Sequence, residues 1–233
     1  MSRQGSFLEG ATGESVRASY LAEFPAEALD RLFADAIQLD VPAGGMLYRE
    51  GDQPRAGLVV RGLIRVYMTS PEGRQVTVRY ARRADVLGTP AVIGGPVLAA
   101  VQTLTDASLL MLNLRTLETL ARSDPRIAWA MAEEVTRRLY DVLAELAGNT
   151  FGTVRQRVAR HLLDLAAHGQ QRQTLVAKVT QQDLADAAGS VREVVARALR
   201  DLRADGLIET RTGAITLLDP VRLHAETWRG SWA

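Results

Sequence analysis

The sequence predicts an α+β fold in three successive pieces: a roll of short strands, one long helix, and a set of short helices closed by a β hairpin. Three observations point there. Residues 39–112 hold short apolar or alternating stretches punctuated by Gly44-Gly45, Gly51, Gly57, Gly62, Gly73, Gly88 and Gly94-Gly95. Residues 124–148 carry apolar side chains at heptad spacing. Residues 180–218 read as a helix, a glycine turn, an amphipathic helix and two strands around Gly213.

Residues 1–17 are rich in Gly, Ser and Thr and are expected to form a mobile tail. Tyr20 to about Ala36 is expected to be helical, with Leu21, Phe24, Leu29, Leu32 and Phe33 as its apolar set. The roll then spans 18–123. Its expected strands are Val59-Val60, Leu63 to Tyr67, Val76 to Tyr80 and Ser108 to Leu112, with Pro71-Glu72-Gly73 as a hairpin turn. Many short strands with regular turns favour a small closed roll over an open parallel sheet.

In the long helix Asp124 stands at the N-cap position and Pro125 in the first turn. Ala128, Ala132, Val135, Leu139, Val142 and Leu146 are spaced 4, 3, 4, 3, 4, which is a heptad seam. Trp129, Met131 and Leu143 read as a second apolar face that docks on the roll. That leaves the seam for a parallel contact with a second copy of the chain. Asn149-Thr150-Phe151-Gly152-Thr153 breaks the pattern and is the expected hinge before a final domain at 154–233.

In that final domain Val195, Ala198, Leu199 and Leu202 fall at i, i+3, i+4 and i+7, one buried helical face. Arg192, Glu193, Ala196, Arg197 and Arg200 project from the opposite side. Ser190 with Glu193 reads as a capping box placing the helix start just after Gly189, and Thr180 caps the preceding helix in the same way. Helix, glycine turn, then a helix with Arg and Glu near its start is the helix-turn-helix arrangement that enters the DNA major groove. A solvated helix hairpin stabilised by surface i, i+4 pairs would share this pattern. The next segment favours DNA: Gly206-Leu207-Ile208, then Gly213, then Ile215 to Leu218 suggest a β wing touching flanking phosphates. The candidate DNA contacts are Arg192, Glu193, Val194, Arg197, Arg200, Ser190, Thr180 and Gln181.

Composition narrows the function classes. At 47% hydrophobic and 24% charged the chain is ordinary for a globular protein. It shows neither a membrane-spanning stretch nor the layout of a signal peptide, and a cytoplasmic location is expected from the DNA reading. There is no cysteine, which excludes disulfides, thiolate catalysis and Cys-ligated zinc or iron–sulfur sites. Net charge is only +1, yet from Thr150 onward 12 Lys and Arg stand against 9 Asp and Glu. The basic excess therefore lies in the half that needs phosphate contacts. Lys178 is the only lysine among 28 basic residues, and arginine is as abundant in the first half, so codon bias explains that preference better than function does.

Roll, long helix, hinge and winged helix-turn-helix, in that order, resemble the Crp/Fnr family of bacterial transcription regulators, whose roll is a cyclic-nucleotide-binding-type jelly roll. Ser190 to Arg197 is similar to the family's R-E-x-V-x-R recognition pattern, and Gly44, Gly51, Gly62 and Gly88 to its roll glycines. The resemblance covers roughly Leu32 to Leu218. It implies that Arg192 and Arg197 bond guanine edges, that Glu193 accepts from a cytosine amino group, and that a homodimer reads an inverted repeat resembling TGTGA-N6-TCACA. Val194 stands where the family has Thr, exchanging a hydroxyl contact for one to a thymine methyl. RNA polymerase is the expected further partner.

The effector position departs from the family. Cyclic-AMP-binding members carry a Glu after the late roll glycine, an Arg-Ser pair for the phosphate, and Thr-Ser on the long helix for the adenine. Here the segment is Leu87-Gly88-Thr89-Pro90-Ala91, the pair aligns with Ala99-Ala100, and the helix holds Val142-Leu143. Without a cation a buried phosphate is uncompensated, so cyclic AMP is not expected to bind in the family's way. Haem sensing typically uses a His in the roll, but His161, His168 and His224 all follow the hinge, and Met46, Met68, Met111 and Met131 are expected to fill core gaps. No cofactor is expected. An apolar or small anionic effector lined by Arg79, Tyr80 and Thr89 remains, or none at all. The alternatives are a small-ligand-binding module without DNA function and a cupin-like enzyme, which would want two or three His in the roll.

Overall fold

The structure is a computed structural model, and it describes residues 10–53, 55–69, 71, 75–94, 99–168 and 174–227. The chain divides into two compact units, Met1–Asp141 and Val142–Ala233. Two expectations lie outside the described residues: the tail over 1–9, and the turn expected at Pro71-Glu72-Gly73, of which only Pro71 is described.

Where a mobile tail is expected to continue to residue 17, the chain forms α1 (Gly10–Arg17). Val16 is buried in the same core cluster as Tyr20, Leu32 and Leu58, an apolar anchor that outweighs the weak helix propensity around it. The helix expected across 20–36 is split in two. Tyr20–Glu23 is a 3₁₀ turn capped by Ser19, and α2 spans Ala26–Phe33. Pro25 explains the break: the preceding Phe24 is extended, at φ −79° and ψ 140°, because the proline ring disfavours helical backbone before it.

Among the described residues eight strands make the roll: β1 (Ile37–Val41), β2 (Met46–Tyr48), β3 (Ala56–Arg61), β4 (Ile64–Thr69), β5 (Gln75–Ala81), β6 (Val86–Leu87), β7 (Ala100–Thr103) and β8 (Ala107–Leu112). They form two antiparallel sheets, ordered β1-β8-β3-β6 and β2-β7-β4-β5. Val59, Leu109, Ile64, Leu87 and Val101 belong to one core cluster with Tyr48 and Ala81. Leu58, Val60, Leu110 and Leu112 point to the other face, beneath Leu21, Phe33, Leu117 and Ile127. With both faces covered, β3 and β8 read as continuous apolar runs instead of alternating ones.

Three helices come next. α3 (Ala91–Gly94) is one turn, and α4 (Leu114–Ser123) begins at Asn113, whose Oδ1 accepts from the N–H groups of Arg115 and Thr116. α5 runs from Pro125 to Phe151, and Asp124 Oδ1 accepts from Arg126 N at 2.9 Å as its cap. The expected hinge is therefore helical through Phe151, and the break falls at Gly152-Thr153. The face that packs on the roll is Ile127, Ala130, Met131 and Glu134. Trp129 and Leu143 do not join Met131 there but are 68% and 49% exposed. At 3.6 residues per turn, side chains two positions apart lie on opposite sides of a helix, so Trp129 and Met131 cannot share a face.

The second unit holds α6 (Val154–His168), β9 (Val176–Ala177), α7 (Gln181–Ala187), α8 (Arg192–Ala204), β10 (Ile208–Arg211), β11 (Ala214–Leu217) and α9 (Pro220–Glu226). The strands form one sheet ordered β10-β11-β9, with Gly213 at φ +72° turning the hairpin. α6 lies against α7, α8 and α9, supplying Val158, Leu162 and Leu163 to the interior.

Candidate nucleic-acid interface

The buried face of α8 is the expected one: Val195, Ala198, Leu199 and Leu202 are all buried. Arg192, Glu193, Val194, Arg197 and Arg200 are exposed, and Ala196 is half-buried between the two faces. Among the described residues, none pairs by a salt bridge or hydrogen bond with the guanidinium groups of Arg192, Arg197 or Arg200. That leaves their donors open to an incoming partner.

The turn before α8 differs from the capping box expected of Ser190 and Glu193. Gly189 adopts φ +57°, and the Ser190 N–H donates to Ala185 O at 2.9 Å. This 6→1 bond closes the C-terminus of α7 as a Schellman motif. Ser190 thus ends one helix instead of starting the next, and Val191, at φ −98° and ψ 150°, takes the N-cap position with no side-chain bond. Thr180 stands one residue before α7, where its carbonyl accepts from Leu184 N at 3.1 Å.

Gln181 is exposed at the start of α7. Together with Thr180, Arg192, Thr210, Arg211 and Gly213 it lines a hollow of about 370 Å³ between α7, α8 and the β10–β11 hairpin. Two residues that no sequence motif marks hold this unit together. Arg157 Nε donates to Ala188 O at 2.7 Å, and its Nη1 donates to Gly152 O. Arg155 joins α6 to α8 and α9 through Asp205 at 2.7 Å and Glu226 at 2.9 Å. Their signal in the sequence is faint, because the partners that tie them to other elements lie 31 to 71 residues away. His161 is half-buried beside Arg160 and Asp164, a packed helix residue.

In the first unit the expected effector residues are not brought together. Arg79 and Tyr80 are neighbours on β5 and so point to opposite faces of the sheet. Thr89 is buried, and its hydroxyl shares a 3.2 Å hydrogen bond with the Tyr20 hydroxyl. Ala99 is half-buried before β7 and Ala100 buried on it. Gly88 has a local reason to be glycine: its φ is +79°, and a Cβ there would stand 2.1 Å from the Arg55 carbonyl oxygen.

What the roll holds instead is a buried charge network. Asp85 lies in the turn between β5 and β6 and takes both Arg79, at 3.7 Å, and Arg138 of α5. Arg138 also reaches Glu134 at 2.7 Å and Asp141 at 3.1 Å, and Glu134 takes Arg137 at 2.6 Å. Burial and the nearby Arg138 push the Arg79 guanidinium below its ordinary range, against the pull of Asp85 and Glu134. Burial acts the same way on Arg138, but the carboxylates of Asp85 and Glu134 outweigh it and hold that group above its ordinary range.

Burial also pushes the Tyr20 phenol up from 10.0 to about 12, despite its bond to Thr89. Below about pH 10 the phenol is protonated in both folded and unfolded chains, and its contribution to stability is intact. Between pH 10 and 12 the unfolded chain ionises first, and stability on the order of 3 kcal/mol is lost. Urea unfolding of the wild type at about pH 9 and about pH 12 is expected to show this step. A Tyr20→Phe variant should lose it.

Similarity to known proteins follows the same division. A model described as a Crp-like helix-turn-helix domain matches residues 156–226, and one described as a cyclic nucleotide-binding domain matches residues 38–124. The chain is 32% identical over 184 residues to the transcriptional regulator LdrP of Thermus thermophilus, covering 77% of this chain and 91% of LdrP. The chain belongs to the Crp/Fnr family of transcription regulators. Another relative, 25% identical over 191 residues (79% of this chain, 85% of the other), is the CRP-like cAMP-activated global transcriptional regulator of Mycobacterium tuberculosis. The fold matches the crystal structure of a Crp/Fnr-family regulator from Eubacterium rectale. The TM-score is 0.58 at 23% identity, covering 89% and 96% of the two chains. In this Crp/Fnr regulator no helix among the described residues is long and apolar enough to cross a membrane.

Proposed function

We propose that this Crp/Fnr regulator works as a cytoplasmic homodimer that sets one α8 helix into each of two successive major grooves of an inverted repeat resembling TGTGA-N6-TCACA. The observation that carries the reading is the division of α8 into a buried apolar face and an exposed face of open arginines. Each guanidinium offers two parallel donors suited to guanine O6 and N7, and Glu193 offers only acceptors, suited to the cytosine amino group. Val194, exposed beside them, suits contact with a thymine methyl. The hairpin with Arg211 flanks this face and suits phosphate contact. The seam on α5 supports the dimer: Ala128, Ala132, Val135 and Leu139 are all exposed in the single chain. Contact with RNA polymerase would follow from where the site lies at a promoter.

The test is anisotropy of labelled DNA at a fixed salt concentration of about 0.1 M, because affinity falls steeply with salt. Ligand-stripped protein is expected to bind the inverted repeat at least ~100-fold more tightly than scrambled DNA, within the ordinary range for specific binders. Equal affinity for both would sink the proposal.

We further infer that cyclic AMP is not the effector and that no haem or cluster is used. The space facing Arg79 is taken up by Asp85 and Arg138, and alanines stand at the phosphate position. Titration calorimetry with cyclic AMP should show no micromolar binding. An isotherm with a micromolar midpoint would overturn this part of the reading.

A further inference from the structure

α3, α4 and α5 enclose an apolar groove of about 790 Å³ in the first unit, floored by Ala121, Ala128, Met131 and Ala132 and walled by Val92 and Ile93. The groove exists because three alanines stand where larger side chains would fill it. Beside it stands the opposite anomaly: Trp129 is 68% exposed, its indole N–H donating to Glu133 at 2.9 Å. Trp129 adjoins the groove-lining Ala128 and Ala132 on the helix, but its indole turns to Glu133 and is not among the lining residues, so within a single chain it does not fill the groove.

The heptad register brings them together across two chains. With Ala128, Val135 and Val142 at d and Ala132 and Leu139 at a, Trp129 is an e residue and Met131 a g residue. In a parallel pair the e positions of one helix lie against the g positions of the other. The partner's indole is therefore carried toward the Met131 side of the seam, where the groove opens. The alanines at the first two seam positions leave room for it. Arg122, on the groove wall and 79% exposed at its side chain, offers a guanidinium to stack on the ring.

We propose that Trp129 of each protomer seats in the α3–α4–α5 groove of its partner and closes the N-terminal end of the dimer contact. This rests on the dimer reading above, and the test separates the two. With Trp228 and Trp232 replaced by Phe, Trp129 is the sole indole. Sedimentation gives the mass, while emission wavelength and acrylamide quenching give the indole's exposure. Leu139 is exposed, so Leu139→Glu supplies a folded, monomeric reference. The expected result is a dimer whose Trp129 emission is blue-shifted and whose quenching falls several-fold against that reference. Trp129→Ala is expected to raise the dimer dissociation constant at least ~10-fold without moving the Tm of the Leu139→Glu background. A monomeric parent would overturn the dimer and this proposal together. A dimer with an exposed indole would overturn this proposal alone. If that dimer also bound one anilinonaphthalene sulfonate per protomer in the groove, the groove would belong to a small apolar ligand.

Discussion

Replacing Arg192 and Arg197 together by alanine is expected to cost the protein at least ~1000-fold in affinity for the inverted repeat while leaving its fold intact. A well-formed arginine–guanine pair contributes roughly 1–3 kcal/mol of discrimination, and a dimer makes four of them. Even at the low end the total is about 4 kcal/mol, three decades in the binding constant. Scrambled DNA should be affected far less, because base-edge contacts are absent there and only part of the phosphate attraction is lost. The fold is expected to survive because both side chains are exposed and neither is paired with another described residue. The measurement is a set of anisotropy titrations on both DNAs, with the Tm of each variant as a control. Loss of affinity that is equal on the two DNAs would assign these arginines to phosphates instead of bases.

The second large effect concerns stability. Arg138→Met is expected to destabilise the first unit by about 3–5 kcal/mol, the usual cost of removing one partner from a buried ion pair. Glu134 and Asp85 are only 3% and 14% exposed at their side chains, so each is left with an under-compensated charge. Methionine keeps most of the side-chain volume, which separates the electrostatic loss from a cavity. The corresponding fall in Tm is roughly 10 °C for a chain of this size. Adding Asp85→Asn should recover part of it, and the non-additivity of the pair measures their coupling. Full additivity would mean that Arg138 and Asp85 do not depend on each other.

The reading helix is legible in the sequence because its determinants are local. Val195, Ala198, Leu199 and Leu202 repeat at the helical period within eight residues, and the hairpin glycine stands close behind. β3, β4, β5 and β8 are legible for a similar reason, as apolar runs between glycines. Short strands such as β2 and β6 hold too few residues to show a period. The sequence alone misplaces the start of α8, because Ser190 can serve as the cap of one helix or as the closing residue of another. Only the Gly189 backbone, in its left-handed conformation, decides between them. Trp129 has a type that suggests burial and a position on the helix that puts it outside, and position wins. The network around Asp85 is invisible for a different reason: Arg138 comes from 53 positions away, and no local pattern announces a pair at that separation.

The guanidinium of Arg157 has a mechanical consequence. One side chain grips the carbonyl at the end of α7 and the carbonyl at the glycine where α5 has just ended. The carbonyls of Gly152 and Ala188, 36 residues apart, are thus tied to a common rivet just before the Gly189 turn. A substitution at Arg157 would release both carbonyls at once while leaving the exposed side chains of Arg192 and Arg197 in place.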